Sequence, residues 1–319
     1  MVRVNKKFWQ GKNILLTGHT GFKGSWLLLI LLKLGSNVWG YSNKYEKGSL
    51  FDLLLKENSI DLKNNEWVHV YGDLLDKEKL RQVVKSSEPD VVIHMAAQAI
   101  VRESYCNPVQ TWETNVNGTL NLLEALKINK KKCLILVVTT DKVYDNCDDN
   151  KIFKEEDKLG GHDPYSASKA ALELAVSSWR KSFYKPFNEF KLVTARAGNV
   201  IGGGDNSKDR IVPDLIRSLL KNEKIQIRNP YSSRPWQHVL ECLNGYLILI
   251  EKLAYDDNHN MDSFNFGPKE RNSKTVKELV EKMLVYWEGE WIDISKKDQL
   301  FESKSICLNI SKAKNILGW

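Results

Sequence analysis

The sequence predicts an α/β fold built on a doubly wound parallel sheet, with a smaller C-terminal α/β domain. Up to residue 199, short apolar runs rich in β-branched residues alternate with longer segments of helical period, the pattern of successive βαβ units. A glycine-rich turn follows the first of these runs and opens the first helical segment. Beyond residue 199 the elements become shorter and mixed. We therefore expect a sheet domain over residues 1–199, with part of 234–268 returning to it, and a smaller domain over residues 200–319.

The strands of the sheet domain are predicted from short apolar runs bounded by turn residues. They are Asn13–Thr17, Asn37–Tyr41, Trp67–Tyr71, Asp90–His94, Cys133–Thr139 and Lys191–Ala195. Two long helices are predicted to begin at prolines, because proline is tolerated in a first helical turn. One runs from Pro108 to about Lys127 and the other from Pro164 to about Phe183.

The composition argues against a nucleic-acid-binding protein, a disulfide-stabilised protein and a membrane protein. A chain of 319 residues that is 42% hydrophobic and 27% charged can bury a large core. The net charge of +7 is spread over lysines throughout the chain, which indicates anionic small molecules rather than nucleic acid. The 5 cysteines form no Cys-x-x-Cys pair, and neither a metal site nor a membrane span is predicted. We expect a cytoplasmic protein with reduced thiols.

The glycine-rich turn has the spacing of a phosphate-binding loop. Gly18 and Gly21 allow the backbone to turn tightly and to approach a pyrophosphate, and Gly24 allows the helix to pack close to the strand. The helix N-terminus that follows attracts an anion. We therefore predict a Rossmann-type dinucleotide site, with the intervening Thr20, Phe22 and Lys23 as further cofactor-binding candidates.

The ends of the next strands leave the choice between NAD and NADP open. The acidic residue that marks NAD at the end of the second strand is missing, and Lys44 there is either a partner for a 2′-phosphate or a solvated lysine. Asp73, with Leu74, follows the third strand and is either an adenine contact or a helix cap. The segment Ala96-Ala97-Gln98 offers small residues where a cofactor passes close to the backbone, or serves packing.

Tyr165 and Lys169 are the candidates for proton transfer. Their spacing of four places them on one face of the helix predicted from Pro164, one turn apart. A nearby ammonium favours a phenolate, so we expect Lys169 to lower the pKa of Tyr165 towards working pH. Thr140 and Asp141 end a preceding apolar run and by themselves fit a strand residue and a turn residue. Their coincidence with the tyrosine and lysine favours catalysis.

Taken together, Gly18-x-x-Gly21-x-x-Gly24, Asp73 and Tyr165-x-x-x-Lys169 resemble the extended short-chain dehydrogenase/reductase family over nearly the whole chain. Within it the nucleotide-sugar branch fits best. Longer strings are similar to the 4,6-dehydratases that act on CDP-glucose, namely Thr17-Gly18-His19-Thr20-Gly21-Phe22-Lys23-Gly24-Ser25-Trp26, Thr140-Asp141-Lys142-Val143-Tyr144 and Gly160-Gly161-His162-Asp163-Pro164-Tyr165. The resemblance implies NAD as cofactor, a nucleotide sugar such as CDP-glucose as substrate, and dehydration through transient oxidation at carbon 4.

The resemblance also implies roles for the catalytic candidates. Tyr165 would take the proton of the carbon 4 hydroxyl, to which Thr140 would hydrogen-bond, and Asp141 would protonate the departing carbon 6 hydroxyl. Relatives acting on dTDP-glucose or GDP-mannose carry an acidic residue where this chain has Lys142. Lys142 is then either the base at carbon 5, if deprotonated, or a residue that orients substrate or cofactor.

Four residues are candidates for substrate binding. Asn199 lies in a string that resembles the family's substrate-binding turn, and Arg210 and Arg234 are candidates for the diphosphate because guanidinium binds phosphate bidentately. Arg102 is a candidate near the sugar, although its partner could also be the neighbouring Glu103 or Asp141. An ordinary surface arginine is the alternative for each.

The long helices carry two further predictions. Asn115 lies in the middle of a helix, where asparagine is a poor helix former. In the wider family a residue here supports the active-site lysine through water, while a hydrogen bond to backbone is the alternative. Residues 108–126 and 166–183 resemble the helices that form a dimer contact, so a homodimer or homotetramer is expected.

Two other enzyme activities and one non-enzymatic function are the alternatives to this interpretation. A 4,6-dehydratase for another nucleotide and a nucleotide-sugar 4-epimerase use the same glycine loop, Tyr165 and Lys169, although Asp141 favours elimination. A regulatory protein that senses NAD without catalysis would be expected to lack Tyr165 or Lys169, and both are present.

Overall fold

The computed structural model describes residues 3–57, 59–60, 67–128, 131–148, 151–184, 190–256, 261–269, 273–296, 300 and 303–319. The strands are β1 (Asn13–Thr17), β2 (Asn37–Ser42), β3 (Trp67–Tyr71), β4 (Val91–His94), β5 (Cys133–Val138), β6 (Ile152–Phe153), β7 (Phe190–Ala197), β8 (Val200–Ile201), β9 (Ile225–Ile227), β10 (Ser233–Arg234), β11 (Gln237–His238), β12 (Ser263–Phe266), β13 (Lys274–Thr275), β14 (Trp291–Asp293) and β15 (Cys307–Leu308). The helices are α1 (Lys6–Trp9), α2 (Phe22–Lys33), α3 (Leu50–Lys56), α4 (Lys77–Ser87), α5 (Val101–Cys106), α6 (Pro108–Trp112), α7 (Gly118–Leu126), α8 (Pro164–Trp179), α9 (Ile211–Leu220), α10 (Val239–Ala254) and α11 (Val276–Leu284).

A 7-stranded sheet in the order β12-β7-β5-β4-β1-β2-β3 forms the centre of the molecule. Every neighbouring pair in it is parallel. The direction in which successive strands are added reverses between β1 and β4, and ligands of such sheets bind at the carboxyl ends of the strands beside this switch point. The predicted doubly wound α/β fold is confirmed.

Helices cover both faces of the sheet, as a parallel sheet requires. Side chains alternate along β1, so Ile14 and Leu16 pack into one core cluster with residues of α2 and α10. Leu15 faces the other way and packs with residues of α4, α7 and α8. The two clusters hold the strand ends in fixed positions, from which the loops of the site project.

The predicted long helices are present with local changes of winding. The helix predicted from Pro108 contains a π-helical segment, Glu113–Asn117, between α6 and α7. The helix predicted from Pro164 is α-helical to Trp179 and then continues as a π-helical segment over Arg180–Tyr184. Single π turns inside helices are rare and often lie at functional sites.

Two strands of the sheet were predicted too short. β2 runs one residue further, to Ser42, and β7 runs from Phe190 to Ala197 instead of from Lys191 to Ala195. The end of β7 is extended because its last residues, Thr194 to Ala197, pair with β12. That partner comes from residues far along the chain, which a local pattern does not reveal.

The elements after β7 divide between the large sheet and small two-stranded sheets. α10 packs on β5 and β7, and β12 extends the large sheet, whereas β8 pairs with β11, β9 with β14, β10 with β13 and β15 with β6. The proposed domain boundary at residues 199 and 200 stays a prediction.

Within the described part of the chain, no helix is both long and apolar enough to cross a membrane.

Candidate active site

A cleft of about 1200 Å³ opens at the carboxyl ends of the sheet strands, bordered on its other side by residues of the segment after β7. This volume suits a ligand pair larger than one small molecule. Among the predicted site residues, those that line it are Gly18, Thr20, Gly21, Phe22, Lys23, Gly24, Asp73, Leu74, Ala96, Ala97, Arg102, Thr140, Asp141, Lys142, Tyr165, Lys169, Asn199, Arg210 and Arg234. Gln98 and Asn115 are not among the lining residues.

The glycine loop has a geometry that side chains would disrupt. Gly18 has φ +74°, and a Cβ there would lie 2.7 Å from the backbone nitrogen of Ala96, which follows β4. A Cβ on Gly24 would lie 2.0 Å from the carbonyl oxygen of Gly18. The N-cap of α2 is Gly21, and no side chain caps this end of the helix. The N–H groups of the first turn are therefore available to an anion, which fits the diphosphate of a dinucleotide.

Gly24→Ala is expected to destabilise the ligand-free protein by more than about 3 kcal/mol, since backbone atoms must move to admit the methyl group. Gly21→Ala is the matched control, because its nearest contact, the Gly18 carbonyl oxygen at 3.5 Å, is an ordinary one. Its thermal midpoint should stay near that of the parent chain while NAD binding weakens. Equal thermal midpoints for the two variants would contradict the steric account.

The residues beside the loop favour NAD over NADP. Ser42 ends β2 and its hydroxyl lies 2.7 Å from that of Thr20, whereas Lys44 is exposed and is not among the residues lining the cleft. Of the two interpretations of Lys44, the solvated lysine is therefore favoured. The cap interpretation of Asp73 is wrong, because the side chain of Asp76 caps α4 by accepting from the backbone nitrogen of Lys79. Asp73 lines the cleft.

A pair of histidines lies behind the glycine loop. His19 Nε2 is 2.6 Å from Nδ1 of His69, and the His19 ring fills the space beside Gly40 in β2. Burial lowers the pKa of His19 to about 3 and that of His69 to about 4. His94, buried between Thr17 and Thr119, has its pKa lowered to about 3 by the same cause. All three rings are neutral in the folded protein at neutral pH.

The folded protein should therefore lose stability as the pH falls from about 6.5 towards 4. In the unfolded chain these histidines bind protons below about pH 6.5, whereas the folded chain resists protonation until the lowered pKa values are reached. For the fully buried His19 and His94 the expected loss is about 1.4 kcal/mol each per pH unit. Denaturant unfolding between pH 7 and 4 measures it, and His69→Gln should flatten the dependence. A flat profile above pH 4, where most carboxylates remain charged, would contradict it.

Tyr165 and Lys169 lie one turn apart at the start of α8. The side chain of Asp163 caps this helix by accepting from the backbone nitrogen of Ser166, 2.9 Å away. Both candidates are buried and both line the cleft. The local prediction of a shared face is confirmed.

The predicted effect of Lys169 on Tyr165 is wrong for the ligand-free protein. Burial raises the pKa of Tyr165 to about 12, and Asp141 and Asp163 act in the same direction. A hydrogen bond with Thr140 and the cation of Arg210 oppose this rise. Sequence spacing did not reveal the burial, which here exceeds the effect of any cation.

The ammonium of Lys169 is itself disfavoured. Burial lowers its pKa to about 8, the nearby Lys23 adds to this effect and Glu173 opposes it. The lysine therefore changes its charge close to neutral pH.

Asn115 connects the loop after β4 to the helix that carries Lys169. It is fully buried in the π-helical segment, where its Oδ1 accepts from the backbone nitrogen of Gln98 at 2.9 Å. Its Nδ2 donates to the carbonyl oxygen of Gln98 at 3.1 Å and to Oγ of Ser168 at 2.9 Å. The hydrogen bond to backbone considered from the sequence is therefore present, and the support of the lysine through water stays a prediction. By these bonds Asn115 fixes Ala96-Ala97-Gln98 relative to α8.

Asp141 begins a short 3₁₀ turn, Asp141–Val143, directly after β5 and Thr139-Thr140. Its Oδ1 accepts from the hydroxyl of Thr140 at 3.0 Å, while the buried Oδ2 has no hydrogen-bond partner among the described residues. Burial raises the pKa of Asp141 although Lys142 and Arg234 oppose the rise. A raised pKa favours the protonated carboxyl group, which is the form that can donate a proton to a ligand.

Lys142 is half-buried and lines the same cleft. Its backbone nitrogen donates to the hydroxyl of Thr140 at 3.4 Å, and its charge lowers the pKa of Asp141. The lysine thus lies close enough to act on the acid candidate electrostatically.

The arginines of the cleft are paired with carboxylates or carbonyl groups. Arg102 contacts Asp209 at 3.3 Å, so both partners considered from the sequence, Glu103 and Asp141, are wrong. Asp209 also contacts Arg228 at 2.8 Å. Sequence reasoning missed Arg228, which lines the cleft just after the short strand β9, where no local motif marks it.

The remaining substrate candidates have these contacts. Arg210 contacts Asp205 at 3.1 Å, and Arg234 donates to the carbonyl oxygen of Ser233 at 2.9 Å. Asn199 accepts from the backbone nitrogen of Gln237 through its carbonyl oxygen. One side of the cleft thus carries arginine and amide groups, and the other carries the glycine loop. This arrangement suits a nucleotide sugar that faces a dinucleotide.

In the described ranges, no group of three or more His, Cys, Asp or Glu side chains could hold a metal ion.

The chain is similar in sequence to a known family of proteins and to a known enzyme. Residues 15–319 match the family described as GDP-mannose 4,6 dehydratase. A CDP-glucose 4,6-dehydratase of Salmonella typhimurium is 42% identical over 323 residues, which cover 99% of this chain and 88% of that protein.

Two solved structures share the fold. An epimerase from Methanothermobacter thermautotrophicus superposes with a TM-score of 0.83 at 23% identity, covering 98% of this chain and 88% of that one. A dTDP-glucose 4,6-dehydratase from Bacillus anthracis, solved in complex with NAD, superposes with a TM-score of 0.79 at 23% identity, covering 97% and 91%.

Proposed function

The chain belongs to the GDP-mannose 4,6 dehydratase family, and we propose that it removes water from CDP-glucose, with NAD as cofactor, to give CDP-4-keto-6-deoxy-glucose. The choice of CDP-glucose is supported by the 42% identity, over 99% of this chain, with the Salmonella typhimurium enzyme of that name. The nucleobase itself is inferred from this relationship.

NAD would be held by the glycine loop and its neighbours. The close approach at Gly18 and Gly24 and the free N-terminus of α2 leave room and hydrogen-bond donors for its diphosphate. Asp73 and Ser42 line the same cleft and would border its adenosine half. When bound, NAD supplies a hydride acceptor for carbon 4 and a hydride donor for carbon 6 of the sugar.

The chain's own residues would handle the protons. Tyr165 would take the proton of the carbon 4 hydroxyl as a phenolate, a form that the positive charge of bound NAD would favour against the effect of burial. Thr140, its hydrogen-bond partner, would orient that hydroxyl. The resulting carbon 4 ketone makes the hydrogen on carbon 5 acidic. Asp141 gives its proton to the carbon 6 hydroxyl, which leaves as water.

The environment of Asp141 is the observation that carries the proposal. Elimination requires an acid for the leaving hydroxyl, and Asp141 is a buried carboxyl with a raised pKa and an unpartnered Oδ2 within the described cleft. A 4-epimerase needs no such acid. The group that removes the carbon 5 proton stays open, with Lys142 as a candidate that lines the cleft.

Incubation with CDP-glucose, with and without added NAD, tests the proposal. Mass spectrometry should show the loss of one water from the sugar nucleotide without net reduction of NAD. Parallel reactions with dTDP-, GDP- and UDP-glucose identify the base preference. Conversion without a change of mass would indicate a 4-epimerase, and NAD binding without sugar turnover would indicate a non-catalytic protein.

We propose further that the chain forms a dimer through α6, α8 and the residues next to them. Large apolar side chains are exposed along these elements, namely Val109 at 70%, Trp112 at 40%, Leu174 at 62% and Phe183 at 39%. Burying them in a bundle of four helices would remove this area from water.

Leu174→Glu is expected to convert the dimer to a monomer, because a carboxylate would be buried without a partner. Light scattering coupled to gel filtration measures the mass. Leu220→Glu is a matched control, since Leu220 at the end of α9 is 67% exposed and lies outside those helices. A parent chain that is monomeric at micromolar concentration would refute the dimer.

A further inference from the structure

A buried ion pair lies directly behind the catalytic lysine. Glu173 follows Lys169 by one turn of α8, is 4% exposed and contacts Arg196 of β7 at 2.9 Å. Its Oε1 accepts from the hydroxyl of Thr139 at 2.5 Å, and its Oε2 also accepts from the hydroxyl of Thr194 at 2.8 Å. The carboxylate is therefore held by three donors, two from β7 and one from Thr139, which directly follows β5.

The mechanism given above does not use this carboxylate. Glu173 is not among the residues that line the cleft, so it has no direct path to substrate or cofactor. A buried ion pair is weak evidence for stability, because removing two charges from water costs about as much as their attraction returns. Its location therefore invites a functional explanation.

We propose that Glu173 is a positioning residue that keeps Lys169 in its ammonium form from one turn behind it. The proposal deepens the function proposed above, since it assigns a source for the charge of the lysine in that site. Thr139, which holds the carboxylate, directly precedes Thr140 and Asp141 in the chain. The same contact thus connects the end of β5 to α8.

The charges around Lys169 support this assignment. Lys23 from α2 disfavours the ammonium, as does burial, whereas Glu173 favours it. The His94 ring from β4 is neutral, because burial and Lys169 lower its pKa. Tyr165, one turn earlier on α8, is neutral because its pKa is raised. Glu173 is thus the acidic side chain acting on the lysine among the described residues.

Glu173 carries a negative charge at neutral pH and can therefore stabilise the ammonium of Lys169. Arg196 and the hydroxyl donors lower its pKa, so it remains a carboxylate despite its burial. Arg196 is held in turn by the hydroxyl of Tyr144 at 3.0 Å and the carbonyl oxygen of Glu155 at 2.9 Å. The pKa of Lys169, about 8, lies only slightly above neutral pH. Loss of the carboxylate would lower this pKa and leave the lysine largely neutral near pH 7.

Glu173→Gln in the NAD-loaded enzyme tests the proposal through the pH dependence of kcat/KM for CDP-glucose. The alkaline limb, where Lys169 loses its proton, should move to lower pH by about one unit or more. Thr194→Val is the matched control, because it removes one hydrogen bond to the same carboxylate without changing a charge. Its alkaline limb should stay at the parent position even if the protein is less stable.

A second measurement does not depend on activity. Competitive labelling of lysines with an amine-selective reagent, followed by mass spectrometry of the peptide containing Lys169, gives the midpoint of its titration. That midpoint should move in the same direction in Glu173→Gln. If this variant fails to fold because Arg196 is left unpaired, Glu173→Gln combined with Arg196→Gln removes both charges of the pair. The midpoint should then move in the same direction by a smaller amount, because the loss of the arginine cation favours the ammonium.

The outcomes distinguish this inference from the proposed function. A folded Glu173→Gln protein with the parent alkaline limb and the parent labelling midpoint overturns the inference. A parent enzyme that does not dehydrate CDP-glucose, but whose labelling midpoint falls in the variant, overturns the proposed function and leaves the inference standing.

Discussion

Tyr165→Phe is expected to lower kcat for the dehydration of CDP-glucose by about 10²- to 10⁴-fold, the contribution typical of a positioned acid or base. Without the phenol oxygen, no group of the site takes the proton from the carbon 4 hydroxyl, and the ketone on which elimination depends does not form. Exchange of the carbon 5 hydrogen with deuterated water should therefore disappear together with water loss. Mass spectrometry follows both.

Tyr184→Phe is the matched control for the loss of a buried hydroxyl. Tyr184 is 1% exposed and donates to the carbonyl oxygen of Leu123 at 2.8 Å, and it is not a residue of the cleft. Its removal should change stability and leave kcat near the parent value. A Tyr165→Phe enzyme within a few-fold of the parent in kcat would refute the assigned role.

Asp141→Asn is expected to separate the two halves of the reaction. Water loss should fall by about 10²- to 10⁴-fold, because an amide does not supply the proton that the leaving hydroxyl needs. Oxidation at carbon 4 does not need this proton, so recovered CDP-glucose should still acquire deuterium at carbon 5. Stability should change little, because the amide has the shape of the carboxyl group and carries no charge, and burial disfavours the charged form of Asp141.

Asp145→Asn controls for a change of charge nearby. Asp145 is paired with Lys158 at 2.8 Å, and it is not among the residues that line the cleft. It should leave both water loss and carbon 5 exchange at the parent rates. Loss of exchange together with elimination in Asp141→Asn would mean that the carboxyl group acts before the ketone forms.

The parts of the fold that were predictable are those encoded by neighbouring residues. The period of the apolar runs located β1 and β3 to the residue, and proline placed the starts of α6 and α8. β12 and the extension of β7 depend on a pairing between Thr194–Ala197 and Ser263–Phe266, which no local pattern encodes.

Most of the predicted site residues line one cleft, whereas their electrostatics were not predictable from the sequence. Tyr165, Lys169 and Asp141 could be named from spacing and resemblance. The raised pKa of Tyr165 could not, because it depends on how much water the folded chain excludes and on Asp163 and Arg210, which approach it only in three dimensions. Glu173 and Arg228 were missed for the same reason: neither belongs to a sequence motif that signals its partner.

The edge strand β12 is synthesised more than 60 residues after its partner β7, and this affects how the protein can fold during synthesis. While the ribosome has made only the residues up to Ala197, β7 is an edge strand with unpaired backbone groups, and the apolar face that includes Leu136 and Val193 lacks α10. Strand edges and apolar faces of this kind promote aggregation of nascent chains. The large sheet therefore cannot be completed during translation until Phe266 has left the exit tunnel, and until then the growing polypeptide is a natural client for chaperones.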